Sequence, residues 1–465
     1  MNKESLPKIL PVAVSLLAAG ALAWWLMSGP TIPLKERIPG ADRAEGDGAT
    51  GGTAAKWEGK LIKGDGVPAD LPGAWPWFRG PAFDAISTDT TPLAKSWPKE
   101  GPPTLWKIDV GEGFAGAAIR AGRVYLMDYD HKGQADAFRC LSLADGKEIW
   151  RFTYPAKVKR NHGMSRTIPA ITEKYAIAIS PKCLVLCNDP ATGELRWKLD
   201  LPQEFNTEVP PWYAGQCPLI DVDKLILGTG GDALVVAVDC ATGKVLWKSA
   251  NPRGWQMTHS SIAATKFNNQ PLYVYCGSGG VTGVSATDGK ILWDTPDWKI
   301  SIANVPTPVP VPGDRIFLSG GYNAGALMLR MTETNAKPAV ETLYRLKATV
   351  FGSTQQTPIL FKDHLFGVRP DGQLVCLNLD GKPVWTSGNA HKFGTGPYMM
   401  AQGMIYLLDD DGTLTLAEAS IEGYKQLAQA KVLQGHDAWG PMALAGSRLI
   451  VRDLNQMACL DVGAK

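Results

Sequence analysis

Residues Ala237 to Lys248 read AVDCATGKVLWK: a short apolar strand, then Asp239, Thr242 and Gly243, and four residues past the glycine a tryptophan, Trp247. Asp and Thr fold back on the backbone of a tight turn and glycine takes the positive φ that other residues resist, so the stretch predicts a β-hairpin. The same frame returns at Gly146 and Trp150 (LADGKEIW), Gly193 and Trp197 (PATGELRW), Gly289 and Trp293 (ATDGKILW), and Gly381 and Trp385 (LDGKPVW). Successive glycines stand roughly 46–50 residues apart, and the last step is double, which predicts one degenerate copy inside it. A repeat of that length carrying several short strands is the pattern of a β-propeller, whose blades bury their faces only between neighbours.

Counting outward from these hairpins places blades at about 115–155, 169–200, 216–250, 260–296, 305–346, 355–387 and 396–430. The fifth lacks the hairpin glycine and carries Tyr344 where tryptophan belongs; the seventh ends in the divergent ASIEGYKQLAQA. Thr104-Leu105-Trp106-Lys107 resembles a tryptophan strand without its hairpin, and Ala458 to Val462 resembles the strand that precedes one. The two halves complement each other, so the ends are predicted to share the last blade, 440–463 joined to 104–109, and to remove the exposed edges of an open ring. The expected fold is all-β: an eight-bladed propeller of four-stranded blades over 104–465. Runs such as KVLWK and LIVRD are apolar on both parities, as when both sheet faces are buried, and the repeated tryptophans are read as mortar between blades.

With 47 basic and 45 acidic residues the net charge is +2, so no electrostatic footprint for nucleic acid exists. Of eight cysteines, Cys140, Cys187, Cys376 and Cys459 fall at equivalent places where other copies have Ala237 and Gly283. A position accepting Cys, Ala or Gly selects for small size, which predicts buried packing thiols. Neither CxxC nor CxxCH occurs, so zinc ribbons and c-type haem are not expected.

The run Ile9 to Met27 has no charge, follows Lys3 and Lys8, and carries Trp24 and Trp25 near its end. It is long enough to span a bilayer and predicts a signal anchor over 1–29; the competing reading is a cleaved signal peptide with Ala21-Leu22-Ala23 as its small-residue site. No cysteine precedes Cys140, which leaves no lipoprotein attachment site. Either way the body is exported, and an anchored chain is expected in the inner (cytoplasmic) membrane with its propeller outside the cytoplasm, in the periplasm of a two-membrane cell. Residues 30–74, rich in Gly, Ala and charge, predict a flexible linker. Residues 75–103 open with WPWFRGP, read as a clasp that plugs or clasps one face of the ring; the alternative is that Arg79, alone between aromatics, grips an anion.

In propellers the loops entering each innermost strand gather at one mouth of the central channel. That places His162, Arg166, Trp212, Tyr213, His259, Asn304, Gln355, His391, Asp437 and Trp439 there as candidate site residues, accompanied by Glu208, Gln356 and His436. A cationic, aromatic, amide-lined funnel suits an anionic planar cofactor or a peptide segment, although loops are polar without any ligand. No i, i+4 histidine pair or local acidic cluster is present, so no metal site and no catalytic residue is assigned.

The repeat, as in VDCATGKVLW, resembles that of the pyrroloquinoline quinone (PQQ) family of propellers over roughly 104–465. That superfamily implies an eight-bladed fold and holds two kinds of member: calcium- and quinone-dependent alcohol dehydrogenases, and non-catalytic relatives such as the lipoprotein of the outer-membrane β-barrel assembly machinery. WPWFRGP and GHDAWGPMALAG also resemble a group of exported quinone-propeller-like proteins. The vicinal cysteine pair of the dehydrogenases is missing, as is the lipid-bearing cysteine of the assembly lipoprotein. The expectation is a monomeric, membrane-tethered scaffold for envelope proteins, without a cofactor; the alternative is an alcohol or sugar dehydrogenase-like quinoprotein using PQQ and Ca2+.

Overall fold

A computed structural model describes residues 16–24 and 58–464 of the chain. Around Gly243 the hairpin is built as its residues require. Asp239 Oδ1 accepts from the Thr242 amide at 2.8 Å and the Thr242 hydroxyl at 2.6 Å. The Gly243 amide returns to the Asp239 carbonyl at 2.9 Å, and Gly243 sits at φ 72°. Glycine is needed for a second reason: a Cβ there would lie 2.8 Å from Cδ2 of Trp197, in the preceding blade. Gly146 lies likewise against Trp106, Gly193 against Trp150, Gly289 against Trp247 and Gly381 against Tyr344. The indole N–H groups then donate across the seam, Trp106 to Leu143 O (3.0 Å), Trp150 to Pro190 O (3.3 Å) and Trp197 to Cys240 O (2.8 Å). The motif therefore joins blades: the tryptophan ending one blade stacks on the hairpin glycine of the next.

Opposite each of these tryptophans, across the ladder, stands the small residue of the repeat. Cys140 faces Trp150, Cys187 faces Trp197, Ala237 faces Trp247, Gly283 faces Trp293, Cys376 faces Trp385 and Cys459 faces Trp106. A larger side chain would displace the ring. All eight cysteines are free and buried, and burial pushes the thiols of Cys187, Cys376 and Cys459 up to about 12, which keeps them protonated.

Eight antiparallel sheets follow in chain order. Blades 1 to 7 span 118–155, 170–200, 219–248, 263–295, 309–346, 359–386 and 398–431. Blade 8 joins 443–461 to Thr104–Asp109, which pairs with Gln456–Asp461 and closes the ring. The middle strands are largely buried, Ala233–Asp239 and Arg448–Arg452 among them except for one half-buried end residue each. Val245–Lys248 departs from the expectation for KVLWK: it is an outermost strand, and Leu246 is half exposed. Blade 5 replaces the glycine hairpin with a longer one, Gly325–Thr334 paired to Lys337–Leu346, turned through Asn335 and Ala336 at positive φ. The helix Leu201–Phe205 leaves blade 2, its first turn capped by Asp200.

Two sheets gain a fifth strand from the segment before the ring. Lys60–Lys63 adds antiparallel to the outer edge of blade 1, so the linker expected over 30–74 is ordered in its described part; the rest of that stretch lies outside the described residues. Ile86–Ser87 adds parallel to the inner edge of blade 7. Residues 16–24 are helical, and the remainder of the expected anchor, Ile9 to Met27, lies outside the described residues. Among the described residues no helix is long and apolar enough to cross a membrane.

Candidate functional site

Residues 75–93 cross the channel from blade to blade. Trp75 pairs with Ile119 of blade 1, and the Ile171 amide of blade 2 donates to Pro76 O at 2.8 Å. Arg79 then donates from Nη1 to Thr357 O (3.0 Å), from Nη2 to Pro358 O (3.1 Å) and from Nε to Phe83 O (2.8 Å), pinning the segment to blade 6. Leu93 pairs with Gly463 beside blade 8. Arg79 is buried, and all three of its hydrogen bonds go to backbone carbonyls. Phe78 stands between two cavities, one of about 310 Å3 around the plug itself and one of about 160 Å3 on the side of the loops that enter the innermost strands.

The second cavity is the funnel expected from the sequence, and His162, Arg166, Trp212, His259, Gln355 and Trp439 line it together with Gln356. Four expected residues lie outside its wall. The Tyr213 hydroxyl donates to the Lys159 carbonyl. Asn304 is buried, with neither side-chain amide atom hydrogen-bonded. His391 packs 4.9 Å from the Tyr424 ring, away from the funnel. Asp437, at φ 55°, turns its carboxylate to His436 Nδ1 at 3.2 Å. Glu208 does not reach the wall either. The reading missed Phe114, Tyr322, Ser261 and the floor residue Phe78. Phe114 precedes the first innermost strand, where the entering-loop rule applies; Tyr322 sits on a turn between middle strands, outside that rule.

One wall of the funnel is an aromatic plate. Trp439 stacks on Phe114 at 5.1 Å, and His162 meets both rings at 5.5 and 5.7 Å. The indole is held by Asp410 Oδ1, 2.7 Å from Trp439 Nε1, and by Gln356 Nε2, which donates to Trp439 O at 3.1 Å. The Arg166 Cζ lies 5.3 Å from the Phe114 centroid. Burial pulls the guanidinium down to about 10, so it stays charged at neutral pH. No acidic side chain pairs with it among the described residues; its partners are the carbonyls of Gly163 (2.9 Å), Met164 (3.4 Å) and His162 (2.7 Å). Also in the funnel wall, His259 is 7% exposed and its Nε2 has no hydrogen-bond partner among the described residues. Burial, and then the charge of Arg166, push that imidazole down to about 3, so the ring is neutral.

Among the described residues, the wall holds one fixed cation and no Asp or Glu. Calcium takes six to eight oxygens, carboxylates prominent among them. Here the oxygens on offer are amides and hydroxyls, and no group of three or more His, Cys, Asp or Glu among the described residues is placed to hold a metal. The donor set does not fit a calcium-bound quinone carrying several carboxylates.

The family profile described as outer membrane protein assembly factor BamB matches residues 134–386. No curated protein matches the sequence. Among solved structures, BamB from Moraxella catarrhalis aligns with a TM-score of 0.50 at 15% identity, covering 77% of this chain and 99% of that one. The computationally designed Ika8 protein aligns with a TM-score of 0.52 at 10% identity, covering 77% and 100%. At these identities the likeness is one of fold. The match to the profile spans more than half of the sequence, and this chain belongs to the family of the outer membrane protein assembly factor BamB.

Proposed function

We propose that this chain is a non-catalytic interaction scaffold of the cell envelope, tethered to the inner membrane by Ile9 to Met27 with its propeller outside the cytoplasm and its partners among envelope proteins. The observation that carries this reading is the carboxylate-free wall of the funnel. A general base must stand within hydrogen-bond reach of the proton it takes, and the two carboxylates beside Trp439 already have partners: Asp410 is held by Trp439 and Thr395, Asp437 by His436. The plug adds support, because it lays the chain's own residues across the channel. The family relationship is consistent with a role in assembly.

The test is titration of the full-length chain with PQQ and calcium, followed by alcohols and sugars with an artificial electron acceptor. No dye reduction is expected; substrate-dependent reduction overturns the scaffold in favour of a quinoprotein oxidoreductase. That second reading draws on one feature, the Phe114–Trp439 plate beside Arg166, a suitable bed for a planar anionic ring. For the tether, the protein is expected to fractionate with membranes and resist salt extraction. A mature N-terminus at Trp24 would instead establish a cleaved leader.

A further inference from the structure

Arg166 presents more donors than its surroundings use. A guanidinium carries five N–H groups in a rigid plane. Its three carbonyl contacts occupy Nη1 twice and Nη2 once, and nothing among the described residues accepts from Nε. The groups left over, Nε–H and one Nη2–H, stand on the two nitrogens that grip a carboxylate side-on. They belong to a charge with no acidic partner among the described residues, in a funnel that also holds His259, more than nine-tenths buried, with Nε2 unpartnered. A buried polar atom without a partner is costly, and a bound group that supplies one recovers that cost.

The remaining surface is apolar. Phe114, Trp439 and Trp212 flank the polar pair, Phe78 closes the floor, and Tyr322 at the rim is 48% exposed. Ile302, next to the wall residue Ala303, is 49% exposed. One fixed cation neutralises one carboxylate, and a floor closed by the plug admits the end of a molecule but not a chain threaded through the ring. We propose that the funnel binds a single carboxylate on an aromatic or apolar body, the carboxylate on Arg166 and the body against the Phe114–Trp439 plate. The source is either a free aromatic monocarboxylic acid or the C-terminal residue of a polypeptide. This assignment rests on the reading of the chain as a binder rather than a catalyst.

Calorimetric titration of the full-length protein tests it, with phenylacetate and N-acetylphenylalanine, their neutral amides, and a short peptide ending in phenylalanine as free acid and as amide. One acid per chain is expected, with each amide weaker by roughly tenfold or more, the loss for a charge-assisted bond. Arg166→Lys keeps the charge and loses the fork, and is expected to weaken the acids by a similar factor without changing the amides. Equal binding of acid and amide, or no binding of either, overturns the proposal. Because that comparison uses the unaltered chain, it decides the matter even if Arg166→Lys folds poorly. A peptide acid that binds more tightly than N-acetylphenylalanine identifies a chain end as the source, and equal affinity identifies the free acid. Loss of acid preference removes this site and leaves the scaffold standing; dye reduction with quinone and calcium is a separate readout that removes the scaffold reading and this assignment with it.

Discussion

Gly243 carries two constraints at once, and substitution separates them. Gly243→Ala keeps a left-handed backbone at φ 72° and drives a methyl to 2.8 Å from Trp197, whereas Gly254→Ala at φ 62° meets nothing within 4 Å. The first is expected to cost about 2–4 kcal/mol, backbone strain plus overpacking, and the second about 1 kcal/mol; urea denaturation of the two variants checks the difference. Asp136 is the other residue with a measurable signature. It is 1% exposed, and burial raises its carboxyl to about 7 against an ordinary 3.8, with Tyr154, Ser180 and Lys182 opposing the rise. Between about pH 4 and 7 the folded chain keeps a proton that the unfolded chain releases, so this contribution is full below pH 4 and is lost as pH rises through 7. A separation of that size is worth up to about 4 kcal/mol, and Asp136→Asn should flatten the decline in urea midpoint between pH 4.5 and 7.5. The hairpin aspartates Asp189 and Asp239 act oppositely and in acid, because turn hydrogen bonds hold their carboxyls below the ordinary value. The two devices differed in legibility: the glycine and the small residue opposite tryptophan recur at fixed offsets, whereas Asp136 has no counterpart in the repeat and its burial depends on the neighbouring blade.

At the scale of elements, what could be read followed the repeat and what could not lay off it. Seven blades and a composite eighth were legible because the hairpin glycine and its tryptophan return at a nearly fixed spacing, with apolar middle strands leading into each turn. KLIK at 60–63 was not, since a four-residue strand in a charged, glycine-rich stretch carries too few apolar residues to be distinguished from a tether. Loop direction was equally hidden. The entering-loop rule placed His391 and Asp437 at the correct end of their strands, but local packing on Tyr424 and pairing with His436 turned both aside. The plug is the element most open to test. Arg79→Ala removes three carbonyl contacts, two of them to blade 6, and should cost about 1–3 kcal/mol. Chymotryptic cleavage within 75–83 is expected to appear in the variant while the blades stay intact; a plug as resistant as in the parent would mean that Trp75 and Ile86–Ser87 suffice to hold it.

For the whole molecule the decisive contact is the seam in blade 8. Removing Met457 to Lys465 deletes the strand that Thr104–Asp109 pairs with and uncovers Trp106, so the truncated chain is expected to lose a single cooperative melt. An unchanged transition by calorimetry would show that the ring does not depend on this closure. The seam also sets a schedule. Asp109 and Gln456 lie 347 residues apart in sequence, and ribosomes add about 5–20 residues per second, so the early strand of blade 8 waits on the order of 20–70 s for its partner. Throughout synthesis the strand Thr104–Asp109 is an unpaired edge bearing a tryptophan, and every blade made meanwhile belongs to an open arc. The interval in which this protein most needs a chaperone is therefore written into the order of its strands, and a permutant whose ends fall between two blades would shorten it.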